Sequence, residues 1–402
     1  MAKLILATGL AIVLNAQLNS AYKLMCYSHI STKVMPVLGS FNFGFIDSCL
    51  CTHIIFNFGW MPNNEIIMKN EDDLKEYKGI YDLKTRNKEL KILLAIGGSE
   101  LQSNQFSAIV STAQSHQNFI TSVISFLRQN NFDGLNLDWR YPGSGGNPPK
   151  DKHLFTLLVK EMREAFEKES LEKHKTRLLI TATVSGIISI IEHEYKIPEL
   201  SQSLDYIQVM TYDLHSSKDG YTGENSPLYE GPSDHGISAY LNVDYIMTYW
   251  KNHRADPKKL IVGFPTYGQT FTLSDPSDNG IGAYTISAGQ TKKHTYEKGL
   301  WAYYEICNFL NQGATEKWNA PQEVPYAFRN TEWVGYDNVK SFQIKAQWLK
   351  DNNLGGAVVW PLNMNDFTGS FCNQGSFPLT STLKKALNVH CPCYEASYCD
   401  EF

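Results

Sequence analysis

The sequence predicts an α/β protein whose main unit is a (β/α)8 barrel, the TIM barrel. Eight apolar extended segments recur along its 402 residues and alternate with helical stretches, which is the pattern of parallel strands joined by helices. The segment 133–143 adds a second observation, because it carries a polar row on one face and an apolar row on the other, as suits a strand of a closed barrel. Functional sites of this fold lie at the carboxyl ends of the strands.

Four predicted strands lie in the first half of the chain. Residues 23–27 are apolar and extended, and residues 52–58 and 91–96 are short apolar runs of the length that buried strands have. Residues 119–128 predict a helix, since apolar residues recur there at helical spacing. This helix leads directly into the fourth strand, which begins at Asp133.

The other four strands follow a long amphipathic helix. Residues 153–172 place their leucines and other apolar residues in one stripe, and we interpret the charged remainder as the solvated face. Further extended segments occur at residues 178–184, 204–212, 260–267 and 355–360, which completes the eight strands.

The fourth strand carries the chemistry. Asn136, Asp138 and Arg140 share one of its faces, because side chains of a strand alternate between two faces. The other face carries apolar residues, namely Leu135, Leu137 and Trp139. Pro142 ends the strand, since proline donates no ladder hydrogen bond. A polar row inside a barrel must be paired or must serve a ligand.

This stretch resembles the signature of glycoside hydrolase family 18, the chitinase family, which reads Asp-x-x-Asp-x-Asp-x-Glu. Asp133 and Asp138 match the first and third aspartates, and Asn136 replaces the second. Arg140 stands at the last position, where the family has its proton donor. The resemblance extends from Tyr22 to about residue 387 and implies the family's barrel.

The substitution at Arg140 predicts a protein that is not an enzyme. The family's reaction needs a carboxylic acid that protonates the glycosidic oxygen while the substrate's own acetamido oxygen attacks. A guanidinium, with a pKa above about 12, does not release its proton in proteins. General acid–base catalysis is worth about 10²–10⁴-fold. The sequence does not decide whether Asp138 and Arg140 form an internal ion pair that fills the old site, and such a pair would still allow sugar binding nearby.

The resemblance also implies a ligand cleft at the strand ends. Met210-Thr211-Tyr212-Asp213 matches the family's Met-x-Tyr-Asp motif, whose Tyr and Asp hold the acetamido group of the sugar. Trp360 matches the Trp at the floor of that subsite, where an indole face stacks on a pyranose ring. The remaining positions that match family cleft residues are Tyr27, Phe58, Gly97, Gly98, Tyr141 and Tyr267. Each aromatic taken alone favours core packing, but as a set at strand ends they favour a cleft.

Several positions depart from the family's cleft. Ser31, Ser99, Lys218 and Glu71 stand where chitinases place Trp platforms, Gln269 stands in place of an Arg, and Asn363 and Asn365 replace acids. Each lost platform removes roughly 1–3 kcal/mol of stacking, by analogy with stacking on nucleic-acid bases. We therefore expect weak binding of chito-oligosaccharides, in a short site around Trp360, Tyr212 and Asp213.

The segment 268–337 is rich in Gly, Thr, Tyr and Trp and is too long for a simple connection. In the family, a small α+β domain is inserted after the seventh strand. The resemblance therefore implies a barrel of residues 22–267 and 338–390, an inserted domain of residues 268–337 and a cysteine-containing tail of residues 391–402.

The N-terminus predicts export. Lys3 is followed by the apolar run 4–14 and by small residues up to Ala21, so residues 1–21 are typical of a secretory signal peptide, with a buried first helix as the alternative. No apolar run is long enough to span a bilayer. We expect a secreted, extracellular monomer without N-glycosylation, since no acceptor sequon occurs.

Eight cysteines behind a signal peptide predict disulfides. The resemblance implies the pairs Cys26–Cys51 and Cys307–Cys372. Cys49 is expected to bond to one of the three tail cysteines, Cys391, Cys393 and Cys399, and the sequence does not decide which. The spacing of the tail cysteines does not favour a metal site.

Composition narrows the function further. The chain is 43% hydrophobic and 19% charged, which is ordinary for a globular protein, and a net charge of −5 without a basic stripe argues against a nucleic-acid partner. No phosphate-binding or dinucleotide motif indicates a cofactor.

The resemblance favours an inactive chitinase-like lectin of the kind released by macrophages and eosinophils, with a role in inflammation or immune signalling. The alternatives are a cytokine-like protein that acts through a protein receptor and no longer binds sugar, and a residual hydrolase that uses another acid.

Overall fold

The computed structural model describes residues 22–29, 41–67, 71–98, 103–143 and 146–391. Eight parallel strands close into a barrel in the order β1-β14-β7-β6-β5-β4-β3-β2. They are β1 Lys23–His29, β2 His53–Asn57, β3 Lys91–Gly97, β4 Gly134–Asp138, β5 Leu179–Val184, β6 Tyr206–Val209, β7 Leu260–Pro265 and β14 Gly356–Trp360. The predicted (β/α)8 barrel is confirmed.

A smaller antiparallel sheet follows β7. Its strands are β8 Tyr267–Leu273, β9 Thr285–Ala288, β10 Leu300–Ala302, β11 Thr315–Asn319, β12 Val324–Arg329 and β13 Glu332–Gly335. They pair in the order β10-β8-β13-β12-β11, and β9 pairs with the last residues of β8, Phe271 to Leu273. The expected small domain after the seventh strand is therefore present, and the limits 268–337 stay a prediction.

Helices surround the barrel and one belongs to the inserted segment. They are α1 Glu71–Arg86, α2 Ser103–Ile109, α3 Ala113–Gln129, α4 Asp151–Lys173, α5 Ile188–Glu194, α6 Ile197–Ser203, α7 Val243–Asn252, α8 Tyr303–Asn311, α9 Val339–Asp351 and α10 Pro378–Ala386. Within the described residues, no helix combines the length and the apolar character needed to cross a membrane.

The side chains of β4 alternate as the sequence predicts. Leu135, Leu137 and Trp139 are buried in the layer between barrel and helices, where Trp139 stacks on Phe106 at 5.1 Å between ring centroids. Burying a large apolar side chain stabilises the fold by about 1.5–3 kcal/mol. The other face of β4 points into the barrel and carries buried polar groups, which is where a site can form.

Several predicted element limits differ from those of the structure; the strand predicted at 204–212, for example, spans only Tyr206–Val209, and two other differences have a clear local reason. The helix expected at 119–128 begins earlier, at Ala113, because the Thr112 hydroxyl caps it by accepting a hydrogen bond from the backbone N–H of Ser115. The strand expected at 260–267 is two strands in different sheets. β7 ends at Pro265, which has no N–H to continue the ladder, and the chain leaves the barrel for β8.

Three disulfides join segments that are distant in sequence. Cys26 is bonded to Cys51, Cys307 to Cys372 and Cys49 to Cys391. The last bond ties the start of the barrel to the end of the described chain, 342 residues later. The predicted signal peptide, Cys393 and Cys399 lie outside the described residues.

Candidate functional site

The strand ends bring the predicted cleft residues to one mouth of the barrel. Tyr27 comes from β1, Asp138 ends β4, and Trp360 ends β14. The rings of Tyr27 and Trp360 meet edge to face, with centroids 4.7 Å apart. The rings of Tyr212 and Tyr267 meet in the same manner at 6.2 Å. Residues that are far apart in the chain thus meet at one end of the barrel.

An ion pair lies at the end of β4, where the resemblance would place the family's proton donor. Arg140 donates from Nε to Asp138 Oδ1 at 2.9 Å and from Nη2 to Oδ2 at 3.0 Å. The Asp138 side chain is fully buried, whereas 28% of the Arg140 side chain is exposed at the mouth. Burial disfavours the charged form of Arg140, but the Asp138 carboxylate outweighs this, so the pKa of Arg140 lies above its usual range. Arg140 therefore holds its proton, and both oxygens of Asp138 accept hydrogen bonds.

Below the ion pair, Asn136 is the centre of a buried polar layer. Its Nδ2 donates to the Tyr27 hydroxyl at 2.7 Å and to Thr183 Oγ1 at 3.1 Å. Its Oδ1 accepts from Thr181 Oγ1 at 2.7 Å and from Gln208 Nε2 at 3.0 Å. Every hydrogen-bonding group of the amide is used. This layer is neutral, so it gives Asp138 no acid with which to share a proton.

Sequence reasoning missed Thr181, Thr183 and Gln208. All three are buried on the inner faces of β5 and β6, where they hold Asn136 and, through Thr183, the Tyr27 hydroxyl. The signal was available, because polar residues at alternate positions of two apolar strands indicate a polar barrel interior.

Asp213 stands at the rim, on the loop after β6. Its backbone adopts a left-handed conformation with φ of 57°, held by a hydrogen bond from its N–H to Asn225 Oδ1. One carboxylate oxygen, Oδ1, accepts from the Tyr267 hydroxyl at 2.8 Å and from Gln269 Nε2 at 2.7 Å. Asp213 is exposed at the rim, and none of the described residues donates to its second oxygen, Oδ2, so this oxygen can accept from a ligand. The protein atoms packed around the carboxyl group raise the pKa of Asp213 above its usual range, against the hydrogen bonds from Tyr267 and Gln269, which lower it.

The other predicted aromatics differ in how far they are accessible. Trp360, Phe58 and Tyr141 are half-buried, whereas Tyr212 and Tyr267 are buried. Burial raises the pKa of Tyr212 and of Tyr267 well above that of a free phenol, so both hydroxyls are neutral hydrogen-bonding groups. Met210 is half-buried at the start of the loop after β6. Trp360 and Phe58 also pack against the apolar floor of the barrel, so they serve both the core and the cleft.

Gly97 and Gly98 make room for protein atoms. A Cβ at Gly97 would lie 2.0 Å from the backbone oxygen of Asp138, and a Cβ at Gly98 would lie 2.2 Å from the Phe58 ring. The backbone of β4 and an aromatic ring of the cleft therefore fill the space that the two glycines leave.

The residues predicted to depart from the family's cleft lie in different environments. Lys218 is exposed on the loop after β6, and Gln269 contacts Asp213 as described. Asn363 and Asn365 are buried, and Asn365 donates to Thr380 Oγ1 on α10, so it packs into the core. Ser31, Ser99 and the side chain of Glu71 lie outside the described part of the chain. Among the described residues, no group of three His, Cys, Asp or Glu side chains has the arrangement of a metal site.

Known proteins resemble this chain over most of its length. Residues 23–365 match the family model of glycosyl hydrolases family 18. The chain is 42% identical to chitotriosidase-1 of Mus musculus over 95% of its own length and 81% of that protein. It is 44% identical to the oviduct-specific glycoprotein of Mus musculus over 96% of its own length, and it spans about half (53%) of that relative.

A solved structure has the same fold. It is human YKL-39, described as a pseudo-chitinase with retained chitooligosaccharide binding properties. The two chains are 42% identical and superpose with a TM-score of 0.87, over 91% of this chain and 100% of the other.

Proposed function

The chain belongs to glycosyl hydrolases family 18, and we propose that it is a chitinase-like lectin that binds chito-oligosaccharides or related amino-sugar glycans and does not hydrolyse them. The observation that carries this proposal is the bidentate pair of Arg140 with the fully buried Asp138. It stands where the resemblance places the proton donor.

Absence of hydrolysis follows from the chemistry of this pair. The leaving sugar oxygen needs a proton in the transition state, and a guanidinium next to a carboxylate releases none. Asp138 cannot replace the acid, because it is fully buried behind Arg140 and both of its oxygens accept from it. The neutral Asn136 layer supplies no second carboxyl group.

Ligand binding is supported by groups that the ion pair leaves in place. The half-buried Trp360 offers an indole face to a pyranose ring, with Tyr27 against it. Asp213 keeps one carboxylate oxygen for an N–H donor such as an acetamido group, while Tyr267 and Gln269 orient the other. YKL-39 is described as retaining this class of ligand. We assign the predicted cleft residues to one short site around Trp360.

We further propose that the protein acts outside the cell. The apolar segment within residues 1–21 and the three disulfides support export into an oxidising compartment. A role in inflammation or immune signalling is part of this proposal and rests on the family resemblance.

The decisive experiment is a titration with N-acetylglucosamine oligomers of increasing length, followed by Trp fluorescence. We expect saturable binding that is lost in Trp360→Leu, together with no cleavage products from chitotetraose. The chain contains 8 Trp residues, so this variant also assigns the signal. Cleavage in proportion to protein concentration would overturn the proposal.

Two variants at one position test why hydrolysis is absent. Arg140→Glu restores a carboxylic acid, and burial beside Asp138 would keep that acid protonated near neutral pH. Arg140→Gln is the matched control, because it removes the same cation and supplies no acid. Turnover only in Arg140→Glu means that the rest of the cleft is competent. Turnover in neither variant implicates Asn136 and the missing Trp platforms.

The second candidate is a protein that acts through a receptor and no longer binds sugar. The occupied state of the cleft favours it, since Arg140 fills the catalytic position and Gln269 already bonds Asp213. No fluorescence change at any oligomer length, together with saturable binding to cells that sugars do not inhibit, would support this candidate over the lectin.

A further inference from the structure

A second concave region lies outside the cleft, between the loops after β6 and the inserted sheet. It encloses a cavity of about 260 Å³. Its polar lining includes His215, Glu224, Asp234 and Gln322, and Tyr221 also lines it. None of the described residues that line it is Lys or Arg, and none belongs to the cleft around Trp360. It is thus a separate pocket whose described lining has two carboxyl groups, one imidazole, that of His215, and neither an ammonium nor a guanidinium group.

Glu224 is the least expected member of this lining. The residue is 1% exposed. Its Oε1 accepts a hydrogen bond from Asn319 Nδ2 at 3.1 Å, while its Oε2 has no hydrogen-bond partner. A buried carboxyl oxygen without a donor is unfavourable, and such groups in native proteins call for an explanation.

Amide groups connect the two carboxyls of the pocket. Asn319 Nδ2 also donates to Gln322 Oε1 at 2.6 Å, and Gln322 Nε2 donates to Asp234 Oδ2 at 3.0 Å. The backbone N–H of Gly231 donates to the same Asp234 oxygen at 2.6 Å. This series of hydrogen bonds fixes the positions of Glu224 and Asp234 on the pocket lining. The two carboxyl groups are therefore in place before any ligand binds.

The neighbouring charges do not neutralise Glu224. Lys345 is buried, but it is bonded to Asp337 at 2.6 Å and to the Ser226 carbonyl at 2.5 Å. His215 faces Asp219, with 3.6 Å between Nδ1 and Oδ2. Burial, and then Asp337, raise the pKa of Glu224 well above its usual range, against the Asn319 hydrogen bond and Lys345, which lower it. Burial therefore disfavours the charged form of Glu224.

We propose that this pocket binds a guanidinium or primary ammonium group, which completes the hydrogen bonding of Glu224 and pairs with Asp234. Tyr221 supports such a ligand, because the face of an aromatic ring attracts cations. Tyr221 forms an isolated bridge with Tyr284, which is 75% exposed, so the aromatic edge continues outward from the pocket. The cation comes either from a small free amine or from a Lys or Arg side chain of a polypeptide.

The test compares probes that differ only in charge. We expect calorimetry to detect binding of methylguanidinium and not of methylurea, which has a similar shape and no charge. The tripeptides Gly-Arg-Gly and Gly-citrulline-Gly make the same comparison for a polypeptide ligand. Binding of both cations supports a pocket that reads the charge alone, and binding of the arginine peptide alone supports a polypeptide partner. Failure of both cations to bind overturns the proposal.

Three variants connect the binding to the pocket. Glu224→Gln keeps the size of the side chain and removes its charge, and we expect about tenfold or greater loss of affinity, as for a charge-assisted hydrogen bond. Asp234→Asn is a second, less buried change for the case that the first impairs folding. Glu230→Gln is the control, since Glu230 is exposed on the same loop and does not line the pocket.

Proton release gives an independent readout. If the cation ionises Glu224, the measured heat of binding must depend on the ionisation enthalpy of the buffer in wild type and not in Glu224→Gln. Equal affinity in Glu224→Gln, Asp234→Asn and wild type would refute the proposal. Titration of Asp234→Asn with chitotetraose separates this result from the proposed lectin function, because Asp234 is not part of the cleft.

Discussion

Replacing Arg140 with Met removes the cation from the buried pair and leaves the Asp138 carboxylate inside the barrel mouth. Two unit charges about 4 Å apart attract by about 4 kcal/mol at an effective dielectric constant of about 20. Breaking a buried pair by removing one partner costs about 3–5 kcal/mol. Arg140 is 28% exposed, so solvent already weakens the attraction. We therefore expect the variant to lose about 3 kcal/mol of unfolding free energy at neutral pH, the lower end of that range.

The reverse substitution is expected to be milder. Asp138→Asn leaves Arg140 unpaired, but its side chain reaches solvent at the mouth and can be hydrated there. The double variant Asp138→Asn/Arg140→Met removes both charges and should regain most of the stability that Arg140→Met loses. We therefore expect Arg140→Met to lose more unfolding free energy than either Asp138→Asn or the double variant.

Urea denaturation at two pH values tests this reasoning. A buried carboxylate without a cation takes up a proton more readily, so the deficit of Arg140→Met should be largest near pH 7 and shrink as the pH falls towards about 4. Asp138→Asn/Arg140→Met has no such carboxyl and should show no pH-dependent deficit. Equal deficits at both pH values, or a double variant no more stable than Arg140→Met, would refute the electrostatic explanation.

Three further predictions concern other parts of the fold. Asn136→Asp replaces two buried N–H donations by acceptors, so we expect a loss of about 2–3 kcal/mol at neutral pH that diminishes in acid, and an unchanged urea midpoint would contradict this. Gly97→Ala would place a Cβ 2.0 Å from the backbone oxygen of Asp138 at φ of 109°, so we expect a loss of about 3 kcal/mol or more, whereas a stable variant would show that β3 and β4 can separate. The raised pKa of Glu224 means that its contribution to wild-type stability is present below the usual carboxyl pKa and is lost as the pH rises. Glu224→Gln should thus gain stability relative to wild type as the pH rises above about 4.3, the usual pKa of a Glu side chain, and parallel thermal-denaturation profiles would contradict this.

The barrel and the polar row of β4 could be predicted because both depend on local periodicity. A period of two assigns side chains to faces wherever the strand ends, so Asn136, Asp138 and Arg140 were placed on one side even though β4 ends at Asp138. The same alternation marks Thr181, Thr183 and Gln208 as inward-facing polar residues of β5 and β6, but it does not tell which residue each of them bonds. Asn136 bonds Tyr27 across 109 residues and Gln208 across 72 residues, and no local pattern encodes such pairs.

Positions that looked equivalent in the sequence separated in the structure. The resemblance marks both Asn365 and Gln269 as departures from the family's cleft. In the structure Asn365 packs against α10, whereas Gln269 orients Asp213. The sequence left three tail cysteines as possible partners of Cys49, and the structure pairs it with Cys391. Each of these outcomes depends on which segments meet in space.

The sequence by itself determined the barrel, the inserted segment and the presence of a guanidinium rather than a carboxyl group at Arg140, because strand periodicity and the chemistry of a side chain are local properties. Only the tertiary structure decided that Asp138 is paired to Arg140, that Asn136 is fully bonded and that Glu224 has a carboxyl oxygen without a donor. The physical reason is burial. Away from water a polar group depends on the neighbours that the fold brings to it, and those neighbours come from distant parts of the chain.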